Sequence, residues 1–357
     1  MQKLLIFPFN LLAHYTRCLV LADSLKDDYE VYFQDSHKYN HLVEKRGYKT
    51  FACETFDDNK VMKDIQHFKF SWLNEPDLER IFSSQKAVIS KLNPTLVIGD
   101  VIPTLKMACE QENVKYISLV NGYTTKYYQG RRTLPNKSLL FQLLNKTPIQ
   151  FNRFGEFLFN WKIHLPFKKI RKKNKLQKQL EYRNELEGDE TWICDDPTLF
   201  PQINLPEKYK IIGPLLYASA HTQKAISTNK KAIITVCMGS SGNWSQLKFL
   251  ESSSFKNYHV IACGVGNQVL SADHIQNEDF VDLDAVLPST ELLICHGGNG
   301  TVYKGIQHKV KMLFLTHHFE QEWNVQQFTK HNFGKDLTPL MMEERKKETL
   351  QLIEKQQ

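Results

Sequence analysis

The segment from Ile294 to Asn324, ICHGGNGTVYKGIQHKVKMLFLTHHFEQEWN, constrains this chain more than any other. Glu291-Leu-Leu-Ile-Cys295 is a short apolar run with the length of a buried strand. His296, Gly297, Gly298, Asn299, Gly300 and Thr301 follow, and then a segment with helical character. Glycines at a strand-to-helix junction let the backbone approach a bound group closely. The unbonded N–H groups of the first helical turn and the positive end of the helix dipole favour an anion there. Met312-Leu-Phe-Leu315 reads as the next buried strand, with Glu320 and Gln321 just past its carboxyl end. Open α/β sheets bind ligands at the carboxyl ends of their strands. One βαβ unit would therefore hold a phosphate at its first loop and offer polar side chains at the next.

The same segment resembles the donor-binding signature of family-1, nucleotide-sugar-dependent glycosyltransferases, which reads His-x-Gly-x-Gly/Asn-Ser/Thr and then Asp/Glu-Gln-x-x-Asn after the next strand. His296-Gly-Gly-Asn-Gly-Thr301 matches the first half, and Glu320-Gln321-Glu-Trp-Asn324 the second. A glycine-rich turn alone occurs in many α/β proteins. Two halves at the family's separation, each behind an apolar strand, are much more specific. The resemblance implies an α/β fold of two facing doubly wound, Rossmann-like domains with parallel sheets, the GT-B arrangement.

At 357 residues the chain exceeds one ordinary core, so two domains are expected. Hydrophobic residues make up 41% and charged residues 24%, as in globular proteins. The net charge of +7 suits an anionic ligand or surface. Seven cysteines without a C-x-x-C pair read as reduced thiols, among them Cys237, Cys263 and Cys295 in apolar strands. The N-terminal apolar run from Leu4 to Phe9 is too short for a signal peptide and reads as a first strand. No stretch has the ~20 apolar residues that span a bilayer, so a cytoplasmic protein is expected, peripheral to a membrane at most.

Strand Lys3–Phe9, the loop Asn10–His14, a helix over Tyr15–Leu25 and strand Glu30–Phe33 form a β-α-β opening. Ala13-His14-Tyr-Thr-Arg17 resembles the family's opening Gly-His-x-x-Pro/Arg, with alanine in place of glycine. Asn93-Pro94, the strand Thr95–Ile98 and Asp100 resemble its next segment. Residues 197–231, with Pro197, Pro201, Pro206 and Pro214 and a polar tail, read as a linker between an acceptor domain at 1–196 and a donor domain at 232–340. Residues 341–357 read as a charged terminal helix, which in similar enzymes crosses back to the first domain. Gly264 and Gly266, with Asp284 downstream, imitate a dinucleotide fingerprint, but the third glycine and the following helix are missing.

Between Lys162 and Arg183 nine basic residues crowd around one acid, Glu181, with Trp161, Ile163, Leu165, Phe167 and Ile170 interleaved or adjoining. A solvated helix pair is one reading, and a surface for an anionic membrane or lipid acceptor is the other. No nucleic-acid motif accompanies the charge, and no nucleic-acid partner is expected.

The resemblance assigns roles residue by residue. His14 and Asp100 take the place of the catalytic base and the acid that orients it. His296, Gly298, Asn299, Gly300 and Thr301, with Ser240 after the strand Ala232–Cys237, would hold the donor diphosphate. Phe280 and Val281 would stack on the nucleobase, and Glu320 and Gln321 would bind the donor sugar. The resemblance implies a reaction without a catalytic metal, so neither metal nor cofactor is expected beyond the nucleotide-sugar co-substrate. Lys304 stands where many members carry a glutamate for the ribose hydroxyls, and a lysine cannot accept those bonds. UDP is the expected nucleotide, with dTDP open on that account. The implied activity is inverting transfer of a sugar to a hydroxyl of a small-molecule or lipid acceptor. The rivals are a glycolipid synthase at the membrane surface, a sugar-nucleotide epimerase and a non-catalytic sugar-nucleotide-binding subunit.

Overall fold

A computed structural model describes residues 1–135, 139–218, 232–239, 242–264 and 269–354. They divide into two compact units, Met1–Tyr217 and Ala218–Gln357.

In the first unit the elements run β1 (Gln2–Pro8), α1 (Leu12–Leu25), β2 (Tyr29–Gln34), α2 (Asn40–Lys45), β3 (Lys49–Phe51), α3 (Asp58–Gln66), α4 (Glu75–Leu92), β4 (Leu96–Asp100), α5 (Leu105–Glu112) and β5 (Lys115–Val120). There follow α6 (Leu139–Asn145), α7 (Ile149–Ile163), α8 (Leu165–Lys173), β6 (Glu190–Ile193) and β7 (Tyr209–Ile211). Among the described residues the strands form one parallel sheet in the order β3-β2-β1-β4-β5-β6-β7. Leu4, Leu5, Ile6 and Phe7 are all fully buried, because helices cover both faces of β1. Leu5 and Phe7 join the core beneath α4 and α5, whereas Leu4 and Ile6 join the core beneath α1. Side chains alternate across a strand, and this continuous apolar run feeds two cores.

The second unit contains β8 (Ile233–Cys237), β9 (His259–Cys263), β10 (Ile275–Glu278), α9 (Leu283–Val286), β11 (Thr290–Cys295), α10 (Asn299–Gln307), β12 (Lys311–Phe314), α11 (Phe319–Lys330), β13 (Gly334–Asp336) and α12 (Met342–Glu354). Its described strands are also parallel, in the order β10-β9-β8-β11-β12-β13. Both units are thus doubly wound, as the sequence led us to expect.

Three expectations are refined. The linker does not begin at residue 197. β7 is the outer strand of the first sheet, and Leu199, Phe200 and Tyr209 are buried in that unit. The prolines there shape turns around a short strand; residues 219–231 lie outside the described part. Helix α12 packs on the core of the second unit. Ile353 is fully buried in the second unit's core, and the Arg345 guanidinium donates to the carbonyls of Leu337, Thr338 and Gln246. The stretch Lys162–Arg183 is not uniformly cationic. Arg171 is buried between Glu185 and Glu110, and Arg183 pairs with Glu156 and Glu181. Lys169 and Lys173 reach Glu75 and Glu79 on α4.

The Arg171–Glu185 pair anchors α8, with both bonds at 2.6 Å and His164 adding a third at 2.6 Å. Removing one member of a buried pair strands the other's charge. Glu185→Ala should therefore cost about 3–5 kcal/mol of stability. Urea unfolding would show this, and the double replacement Arg171→Met with Glu185→Leu should recover most of the loss.

Candidate functional site

In each sheet the strand order reverses once beside the first strand, between β1 and β4 in one unit and between β8 and β11 in the other. Ligands of open α/β sheets bind outside the carboxyl ends of the strands at such a reversal. His14 and Asp100 lie at the first of these places, and His296 to Thr301 lie at the second.

At the first reversal Asp100 closes β4, opposite Pro8 of β1. Its carboxylate is fully buried. His14 is not in a loop but in the first turn of α1, which begins at Leu12. Leu11 occupies the N-cap without a side-chain cap, so no Ser, Thr or Asp marks the helix start in the sequence. His14 and Arg17 then share a helix face at i, i+3 spacing. His14 Nδ1 lies 3.0 Å from Asp100 Oδ2, and its side chain is 17% exposed. Arg17 forks onto both Asp100 oxygens through Nε and Nη2. Arg17 Nη1 donates to Asn121 Oδ1 at 2.5 Å, tying in the end of β5. Arg17 Nη2 also lies 3.2 Å from His14 Nδ1. Burial pushes the Asp100 carboxyl up, but the charges and hydrogen bonds of Arg17 and His14 outweigh it and hold the group at about 2. The sequence carried Arg17 as part of a motif without a role; Asn121 had none. Placing the helix start at Leu12 would have exposed the His14–Arg17 spacing.

At the second reversal Gly297 has φ +83, and a side chain there would run into Val325 of α11. Both constraints require glycine. The His296 imidazole sits between Gly239 and Gly298; a Cβ on Gly239 would lie 2.7 Å from it. Gly298 is the N-cap of α10, so the N–H groups of Asn299, Gly300 and Thr301 have no intrahelical carbonyl. Nothing would lie within 4 Å of a Cβ on Gly300, which leaves that turn open. The Thr301 hydroxyl is 3.6 Å from Cys237 Sγ. His296 Nδ1 lies 3.4 Å from the Cys237 carbonyl. Burial lowers the His296 imidazole to about 4, with that carbonyl acting weakly against it. His318 is pushed to about 3 by desolvation and by the neighbouring His296 and His317. These imidazoles are neutral near pH 7.

The other predicted residues divide. Phe280, just beyond β10, is 51% exposed, but the Val281 side chain packs into the core with Ile233 and Ile261. Gln321 is 2% exposed, and its Oε1 accepts from the His317 N–H at 2.7 Å. Glu320 stands beside it in the first turn of α11. Asn324 donates to the Gly297 carbonyl at 3.1 Å and braces the glycine loop. Ser240 lies outside the described residues. Lys304 is buried and pairs with Asp284, which also lies 3.0 Å from His308 Nε2. Asp284 owes its place to this pairing and not to a dinucleotide fingerprint.

No family model matches the chain. It is similar to a PGL/p-HBAD biosynthesis glycosyltransferase of Mycobacterium tuberculosis, with 24% identity over 339 residues, 90% of this chain and 77% of the relative. A PGL/p-HBAD biosynthesis rhamnosyltransferase of Mycobacterium bovis is 24% identical over 337 residues, 90% of this chain and 74% of that one. Among solved structures, the spinosyn rhamnosyltransferase SpnG complexed with thymidine diphosphate superimposes with a TM-score of 0.68 at 12% identity, covering 99% of this chain and 92% of SpnG. The chain is a glycosyltransferase, similar to family-1-like enzymes of the GT-B fold. In this glycosyltransferase one reversal point carries His14 and Asp100, and the other carries His296 to Thr301.

A depressed carboxyl has a definite signature. The Asp100 carboxyl protonates near 3.8 in an unfolded chain and near 2 in the folded one, so the unfolded chain binds more protons in between. The stability this supplies, about 2 kcal/mol, is intact above pH 4 and lost as the pH falls toward 2. Asp100→Asn should be the less stable protein at pH 6, and the gap should narrow between pH 4 and pH 2 in urea titrations. A gap that stays constant with pH would show that Asp100 is not held as an ion.

Proposed function

We propose that this glycosyltransferase moves a sugar from a nucleoside diphosphate onto an acceptor hydroxyl with inversion, His14 being the general base. The observation that carries this reading is His14 Nδ1 at 3.0 Å from a fully buried, ionised Asp100. With the proton on Nδ1 donated to Asp100, Nε2 keeps its lone pair and can take the acceptor proton. Arg17 offers Nδ1 a competing bond that would favour the other tautomer, but Asp100 can accept only from a protonated Nδ1. Arg17 also neutralises part of the Asp100 charge, leaving a positioned imidazole beside a balanced ion pair.

The second domain supplies the leaving-group side. The α10 N-terminus, the glycine loop and His296 form an anion cradle for the diphosphate, whose charge grows as the glycosidic bond breaks. The Glu320–Gln321 pair serves the donor sugar, and the exposed Phe280 ring serves the base. Lys304 removes the usual acceptor of the ribose hydroxyls, and Asp284 already holds its amine. A donor selected without the 2′-hydroxyl follows, so UDP and dTDP should bind alike. That SpnG was solved with thymidine diphosphate, and also with spinosyn aglycone, supports a dTDP-type donor and a small-molecule acceptor.

His14→Ala should leave nucleotide affinity unchanged and lower transfer by roughly 10²–10⁴-fold. Calorimetry with UDP and dTDP and a radiolabelled donor screen would separate the two effects. Equal loss of binding and turnover would assign His14 to the donor site instead.

Nucleotide binding should also take up protons. A diphosphate against His296 favours the imidazolium, raising a group that sits at about 4 in the free protein. Affinity for UDP or dTDP should then rise as the pH drops from 7 to 5. Calorimetry in buffers of different ionisation enthalpy should show uptake, abolished in His296→Ala. No uptake would place the diphosphate away from this ring.

A further inference from the structure

Helix α7 is turned inside out. None of its residues is buried. Phe151, Phe154, Leu158 and Trp161, continued by Leu165 at the start of α8, recur every three or four positions and form one stripe. These five side chains are 69%, 61%, 47%, 44% and 41% exposed. The opposite face, which in a solvated helix would be apolar and packed, carries the polar anchors. Asn152 donates to the Arg132 carbonyl, and Glu156 pairs with Arg132 at 2.5 Å and Arg183 at 3.4 Å. Phe159 stacks on Phe68 at 5.3 Å on that side, and Ile163 meets the main core. The rotation of the helix is thereby fixed, and the stripe faces outward. Helix α6 adds Leu139 and Leu143, 73% and 57% exposed. A contiguous apolar surface of this kind marks an interaction site.

Its rim has one sign. From Leu139 to Leu180 the sequence contains a single acidic residue, Glu156, and that residue faces inward. Arg153 and Lys162 flank the stripe and are exposed. Lys168 lies over the Trp161 ring at 4.7 Å. Lys172, Lys175 and Lys178 make no ion pair among the described residues. Apolar stripe, interfacial tryptophan and an acid-free cationic border are the attributes of a helix lying in the plane of an anionic bilayer. A protein partner would be expected to meet acids as well as bases at its rim.

We propose that the α6–α7 face docks the enzyme on an anionic phospholipid surface, with Phe151, Phe154, Leu158 and Trp161 in the interfacial layer and Arg153, Lys162 and Lys168 at the headgroups. The contact is apolar first and takes only Lys162 and Lys168 from the basic run, part of which is neutralised by Glu75, Glu79, Glu110 and Glu185.

The test uses the full chain, without donor or acceptor, and extruded vesicles of phosphatidylglycerol with phosphatidylcholine or of phosphatidylcholine alone. The protein should co-sediment with the anionic vesicles, more weakly as salt is raised, because headgroup attraction is screened beyond roughly 8 Å at physiological ionic strength. Trp161 emission should shift to the blue, and the shift should vanish in Trp161→Phe. Phe154→Glu with Leu158→Glu, at exposed positions where the fold is unaffected, should lower partitioning at least tenfold with an unchanged circular dichroism spectrum. Arg153→Gln, Lys162→Gln and Lys168→Gln together should flatten the salt dependence. Absence of binding to anionic vesicles at low salt overturns the proposal, as does equal binding to neutral vesicles. Dimerisation in sedimentation velocity that the double glutamate variant abolishes, without lipid binding, would make the stripe a contact between two copies and would also overturn it. None of these outcomes bears on the transferase chemistry, which is absent from the assay.

Discussion

The buried Asp100 carboxylate is the tie on which the first domain's functional end depends. A carboxylate with no exposed surface must be paired or protonated, and here Arg17 and His14 share the task. Arg17 continues to Asn121, so the ends of β4 and β5 and the first turns of α1 are joined through one guanidinium. Cys18 approaches the same oxygen from α1 at 3.8 Å. This arrangement holds the His14 ring in one orientation while leaving part of it exposed. A histidine in a free loop would have to lose that freedom during the reaction.

The second domain solves a different problem with less charge. The anion cradle we propose there rests on backbone N–H groups and on an imidazole kept neutral by burial, with no lysine or arginine in the glycine loop. Such a cradle strengthens when charge arrives and costs little when empty, because backbone dipoles carry no net charge to desolvate. The loop is shaped from behind by Asn324 and Val325 of α11, the last residue of the signature's second half and its neighbour. The second half contributes the brace of the first as well as polar groups of its own. Lys304 departs from the signature without leaving a stray charge, since Asp284 accepts its amine.

The basic region shows how differently a charge run reads in sequence and in space. Arg171, the most conspicuous member, is among the most deeply buried side chains of the chain. Its neighbours Lys169 and Lys173 bridge to α4, and the exposed apolar surface lies one helix earlier, on α7. Composition records how many charges there are but not which face they occupy.

By itself the sequence determined the two doubly wound units, most of their central strands, the glycine loop at His296–Thr301 and, through the family resemblance, the pairing of His14 with Asp100. Those features are local: apolar runs of strand length, glycines where φ or contact excludes a side chain, and motif halves at fixed spacing. Tertiary structure alone decided which residues complete them. Arg17 meets Asp100 across 83 positions, Lys304 meets Asp284 across 20, and Arg171 meets Glu110 across 61. The same holds for β7 as a seventh strand, for α12 on the second core, for Val281 turned inward and for the outward face of α7. Each depends on which elements the sheet order makes neighbours, and a pairing chosen by packing between distant segments leaves no periodicity in the chain to read.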